Sequence, residues 1–104
     1  MILKIFTVYD QKARCHLQPF CFPEEGQARR VFADSCNDEQ HTFGRHPEDF
    51  TLVTLGEYDD EAGTILAYNT PQHVATGLSV LLSDMPGETA ETGNGIDVTE
   101  LPTG

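Results

Sequence analysis

Six of the eight residues in 2–9, ILKIFTVY, are β-branched or aromatic, and none is Gly or Pro, so the segment is set to be a β-strand. A strand alone leaves a row of backbone donors and acceptors unpaired, so the rest of the chain must supply partners. Asp10-Gln11-Lys12-Ala13 turns the chain, and 14–22 (RCHLQPFCF) returns as a second strand. Pro19 has no N–H to give a ladder, which places that strand at an edge or gives it a bulge. Residues 50–58 (FTLVTLGEY) and 64–68 (TILAY) read as strands three and four. The link between them, DDEAG, puts Gly63 where a hairpin asks for positive φ.

Between the two hairpins, Pro23-Glu24-Glu25 opens a helix, since a proline and two acids suit its positive end. Ala28, Val31, Phe32, Ser35 and Cys36 follow at the spacing of one buried stripe, and Asn37 is placed to cap the end. Arg30, Ala33, Asp34 and Asn37 fall on the opposite face, with Arg29 at the flank. Residues 38–49 (DEQHTFGRHPED) read as a polar loop, with HPED as its end, a turn cap and the entry to strand three. Thr70-Pro71 predicts the start of a second helix through about Ser83, with Val74, Leu78, Leu81 and Leu82 as its stripe; Gly77 weakens it by about 1 kcal/mol relative to Ala. The reading is an α+β domain over 1–83, in β-β-α-β-β-α order. An antiparallel sheet of four strands carries helices packed on one face. Residues 84–104 are acidic, lack aromatics and read as a disordered tail.

The chain has 104 residues, enough for one modest core. Its longest apolar run, Leu78-Ser79-Val80-Leu81-Leu82, is far short of the roughly 20 residues a membrane-spanning helix needs. The N-terminus has no basic region ahead of its apolar part and no small-residue cleavage site, so it reads as a strand and not as a signal peptide. Cys15, Cys21 and Cys36 cannot all pair within one chain and match no disulfide framework; they read as small hydrophobes. Net charge is −11, unevenly placed: all six Lys and Arg lie within residues 1–45 against six acids, while residues 46–104 hold eleven acids and no cation. A uniformly acidic chain is a poor partner for phosphates, but a neutral half bearing every cation leaves nucleic acid open as a partner.

Motifs for catalysis are missing: there is no G-x-S-x-G, phosphate-binding loop, dinucleotide fingerprint or His-Glu-x-x-His. His41-x₄-His46 has a zinc-like spacing, but Cys15-x₅-Cys21 misses its counterpart, and Asp59-Asp60-Glu61 lacks the alternation of a calcium loop. No enzyme activity, cofactor or metal is therefore expected. Cations and aromatics are better placed: Lys12 and Arg14 on a hairpin tip, Arg29 and Arg30 on the first helix, with Phe20, Phe22 and Tyr9 nearby in sequence. Single-strand nucleic-acid binders combine cations for phosphates with aromatic faces for bases. The candidate DNA-binding set is Lys12, Arg14, Arg29, Arg30 and Phe20.

In order along the chain, Val8-Tyr9-Asp10-x-Lys12-Ala13, Leu17-Gln18-Pro19-Phe20, Ala28-x-Arg30-x-Phe32-x-Asp34 with Asn37-Asp38, His46-Pro47-Glu48-Asp49-Phe50-x-Leu52, and Leu55-Gly56-Glu57-Tyr58-Asp59-Asp60 with Gly63 form a recognisable set. Over residues 5–68 the chain resembles the small nonstructural protein of gokushovirus-type microviruses, bacteriophages with circular single-stranded DNA. The resemblance implies a non-enzymatic protein of the host bacterial cytoplasm that binds single-stranded viral DNA during genome replication or packaging. It brings no ligand-contacting residues. The alternative is an adaptor that uses its acidic C-terminal half to engage a basic viral or host protein, such as a replication or packaging protein. So small a sheet with one helical layer leaves a face or edge open, so a homodimer or higher assembly is expected.

Overall fold

The computed structural model describes residues 1–82. Strand β1 (Ile2–Asp10) is central, and β2 (Cys15–His16) and β3 (Phe20–Phe22) both pair with its one side. The second strand expected over 14–22 is thus broken in two. Leu17-Gln18-Pro19 leaves the ladder where Pro19 has no N–H to give, although the Leu17 N–H still reaches the Val8 carbonyl at 2.9 Å. On the other side of β1 lie β4 (Phe50–Asp59) and then β5 (Thr64–Thr76), giving one antiparallel sheet of five strands. A bulge in β4 beside Ile5 and Phe6 shifts the register from Ile5↔Gly56 to Phe6↔Thr54, which bends the sheet.

Helix α1 (Glu25–Cys36) lies on the face that carries Phe6 and Val8 of β1 and Leu52 of β4. Gln27 Oε1 accepts the Glu24 N–H at 3.2 Å, closing the first turn. Ala28, Phe32 and Cys36 are buried as the spacing predicts, and burial pushes the Cys36 thiol up to about 11. Val31, expected in the same stripe, is 46% exposed. The sheet curls so that β3 at one edge and β5 at the other both touch the helix, forming a half-barrel around it. Val74, Ala75 and Val80 complete the core from the β5 side.

Two expected elements differ. The polar loop 38–49 contains a short helix, α2 (Thr42–Arg45), and a 3-10 turn, Pro47–Asp49. His41 Nδ1 accepts the Phe43 N–H at 3.0 Å and so starts α2, whose Phe43 packs on Phe50 at a ring separation of 4.4 Å. The second helix expected from Thr70 is absent: 71–76 are strand, and a single 3-10 turn, Leu78–Val80, follows. Its predicted stripe is dispersed, with Val74 buried and Leu78 and Leu82 exposed. The element order is therefore three strands, two helices and two strands. Among the described residues no helix is long and apolar enough to cross a membrane. The domain limit at residue 83 and the expected disordered tail, 84–104, lie outside the described residues.

Candidate functional site

The β1–β2 turn is built by one carboxylate. Asp10 Oδ1 accepts the N–H groups of Lys12 at 2.9 Å and Ala13 at 3.2 Å, and Arg14 N–H closes the loop on the Asp10 carbonyl at 2.8 Å. Arg14 stands there at φ 60°, a left-handed backbone that side chains other than Gly adopt at a cost. The turn thus presents Lys12 and Arg14 together, both exposed. Its length sets Tyr9 opposite His16, and their rings meet at 4.8 Å, tilted by 52°. His16 is exposed and Tyr9 half-buried, on the sheet face away from α1. His16 was not in the candidate DNA-binding set; the signal that finds it is the four-residue turn, which fixes Tyr9↔His16.

The other three candidates are elsewhere. Phe20 pairs with Phe6 across β1 and β3, stacks on it at 5.9 Å and packs against the core, so its ring is only partly open to a base. Arg29 reaches β5, where its Nη2 donates to the Val74 carbonyl at 3.0 Å, while Arg30 is exposed. α1 starts just after Phe22, which pairs with Lys4, and ends at Asn37, which bonds Val80 and Leu82 beyond the far end of β5. Arg29 and Arg30 sit in its first half, and the Lys12–Arg14 turn lies at the Asp10 end of the sheet, toward which the helix runs. The structure brings Lys12 together with Arg14 and places Arg29 beside Arg30, but among the described residues no hydrogen bond joins the two pairs. Nor does any Lys or Arg make an ion pair with a carboxylate there.

HPED is a piece of framework. The Asp49 N–H closes the 3-10 turn on the His46 carbonyl at 3.0 Å, and the Asp49 carbonyl accepts the Gln11 N–H at 2.8 Å, tying the turn to the β1–β2 hairpin. The expected capping by Asp49's side chain is not seen; the carboxylates that cap turns are Asp10, Asp38 and Asp59. His46, Glu48 and Asp49 do offer ligand atoms within 4.8 Å of one another, on a largely exposed turn. Cys15 stands opposite Asp10 and Cys21 opposite Ile5, an odd separation along β1, so the two thiols face opposite sides of the sheet and cannot share an ion.

An open apolar groove of about 430 Å³ lies between α1 and the Leu17–Pro19 segment. It is lined by Val8, Leu17, Phe20, Val31, Phe32 and Phe43, and Leu17 and Val31 are 39% and 46% exposed. At the opposite tip, Asp59-Asp60-Glu61 carries three acids, two of which hold the N-terminal ammonium at 2.8 and 3.5 Å.

Residues 3–80 match the family model described as phage ORF5 protein. A curated relative, protein ORF5 of Chlamydia phage 1, is 34% identical over 62 residues, which cover 56% of this chain and 65% of the relative. The match thus spans just under two thirds of that relative's length. No solved structure matches the chain.

Proposed function

The chain belongs to the phage ORF5 protein family, and from that premise we propose that it is a non-enzymatic protein, made in the infected cell, that contacts single-stranded viral DNA during genome replication or packaging. The observation that supports this reading is the β1–β2 hairpin, where Lys12 and Arg14, free of carboxylate partners among the described residues, sit on the turn that follows the Tyr9–His16 ring pair. Cations there can engage phosphates while a ring receives a base, the combination used by single-strand binders. Arg30 is exposed on a separate element, and Arg29 and Phe20 serve the fold. The acids further along the chain oppose binding only within about 8 Å at physiological ionic strength. A titration of a fluorescent oligonucleotide with the full chain at low salt tests the reading. Loss of binding in Lys12→Glu with an unchanged fold supports it, and no binding by the unaltered chain at low salt rejects it.

The second reading is the adaptor, favoured by the groove between α1 and Leu17–Pro19 and by the acidic β4–β5 tip. A basic peptide with apolar anchors suits both features. Capture of viral replication or packaging proteins by the unaltered chain, lost in Val31→Glu, distinguishes it from the DNA reading.

A further inference from the structure

Strand β5 forms one edge of the sheet, and none of its thirteen residues, TILAYNTPQHVAT, is Lys, Arg, Asp or Glu. At the chain's 22% charged content about three would be expected, and edges are ordinarily guarded by such charges. Toward its end β5 is covered, because Arg29 holds the Val74 carbonyl. Residues 68–71 leave the register with β4 and include Pro71, which has no N–H to pair. Between the hairpin tip and that excursion, 64–67 (TILA) is regular strand, paired among the described residues on its inner side only, with Ile65 67% and Leu66 63% exposed on opposite faces.

We infer that residues 64–68 are the site at which a second copy of this chain adds edge to edge, antiparallel, across a two-fold axis at Leu66. Two identical edges under a two-fold pair antiparallel, which sets Leu66 against the partner's Leu66 and Ile65 against the partner's Ala67. The chemistry selects this partner. Copies each carrying −11 repel, and an uncharged strand lets them meet without burying like charges. The register also keeps the acids of β4 apart: Asp59, opposite Thr64, lies two residues along from the axis, and Glu57, opposite Leu66, stands one strand back from it, so at about 4.8 Å per strand the two Glu57 are roughly 14 Å apart, more than one screening length. Five paired residues bury less than a standard interface, so the association is weak and concentration-dependent. It lies at the opposite end of the sheet from the Tyr9–Arg14 hairpin and does not depend on the DNA reading.

Sedimentation of the full chain from tens to hundreds of micromolar should show its mass rising from 11.5 kDa toward twice that. Leu66→Lys, at an exposed position, should hold the mass at one chain with an unchanged circular dichroism spectrum, because it sets two cations face to face on the axis. In a Cys15→Ser, Cys21→Ser background, Leu66→Cys should oxidise to a covalent dimer and Thr70→Cys should not. A single-chain mass throughout, or a dimer that survives Leu66→Lys, overturns the proposal. A monomer with slow amide exchange over 64–68 also overturns it, since residues 83–104 of the same chain would then be what covers the edge.

Discussion

Asp10–Arg14 and Asp59–Gly63 are the same turn made twice. In each, an Asp carboxylate accepts the N–H groups two and three residues on, and the fifth residue, at φ 60° or 71°, returns its N–H to the Asp carbonyl. Gly63 takes that left-handed backbone freely, whereas Arg14 pays a steric cost. Arg14→Gly should therefore stabilise the protein by about 0.5–1 kcal/mol, the gain in strain exceeding the entropy that Gly adds to the unfolded chain. A raised denaturant midpoint would show it, and on the DNA reading the same variant should bind oligonucleotide more weakly. An unchanged or lowered midpoint would mean Arg14 makes compensating contacts. The second turn carries a pH signature. The N–H groups of Ala62 and then Glu61 hold the Asp59 carboxyl below its usual value. A carboxyl lowered in the folded state contributes stability that is present above its ordinary pKa and is lost as pH falls through the folded one. Asp59→Asn, which keeps an oxygen acceptor, should flatten part of the acid limb of a stability–pH curve while leaving neutral stability little changed.

Elements whose partners are local in sequence were legible; the one decided at long range was not. β1, its return, α1 and the Gly63 hairpin follow from alternation, capping residues and turn chemistry within a few residues of each other. The same local logic placed Lys12 with Arg14. Residues 70–82 carry a helical start signal in Thr70-Pro71 and a helical stripe, but 72–76 are bonded to Thr51–Thr54 of β4, some twenty residues back. That pairing buries Val74 and Ala75 against α1, and tertiary burial outweighs propensity. Phe20 is only partly open for a related reason, since register with Phe6 sets it against the core. Gly77 discriminates the two readings. In a helix, Gly77→Ala would add about 1 kcal/mol of stability. Here a Cβ at that position collides with the Pro47 carbonyl, and Gly77 N–H is bound to the Phe50 carbonyl at 2.8 Å. Gly77→Ala should therefore destabilise by about 1–3 kcal/mol, the usual cost of overpacking, read as a lower melting temperature.

Among the described residues, the candidate cations fall on separate elements and the β4–β5 tip is acidic. Lys12 and Arg14 occupy the Asp10 end of the sheet and Arg29 and Arg30 the first half of α1, while the β4–β5 tip gathers Asp59, Asp60 and Glu61. The sequence alone suggests that all four candidate cations act as one patch. Each phosphate neutralised on a single strand contributes about −0.7 to the slope of log affinity against log salt, so four would give about −3. The fold argues for a smaller number. Arg29 is held by the Val74 carbonyl, and Arg30 is on another element from the hairpin. Two contacts, from Lys12 and Arg14, give about −1.4 by the same rule. Titrations of a labelled oligonucleotide over a range of salt should return that shallow slope. Lys12→Gln should halve it to about −0.7, whereas Arg29→Gln should leave it unchanged even if the fold is loosened. A slope near −3, reduced equally by changes at Lys12 and Arg29, would instead mean that the DNA wraps from the hairpin along α1 and that the two cation pairs work together on one strand.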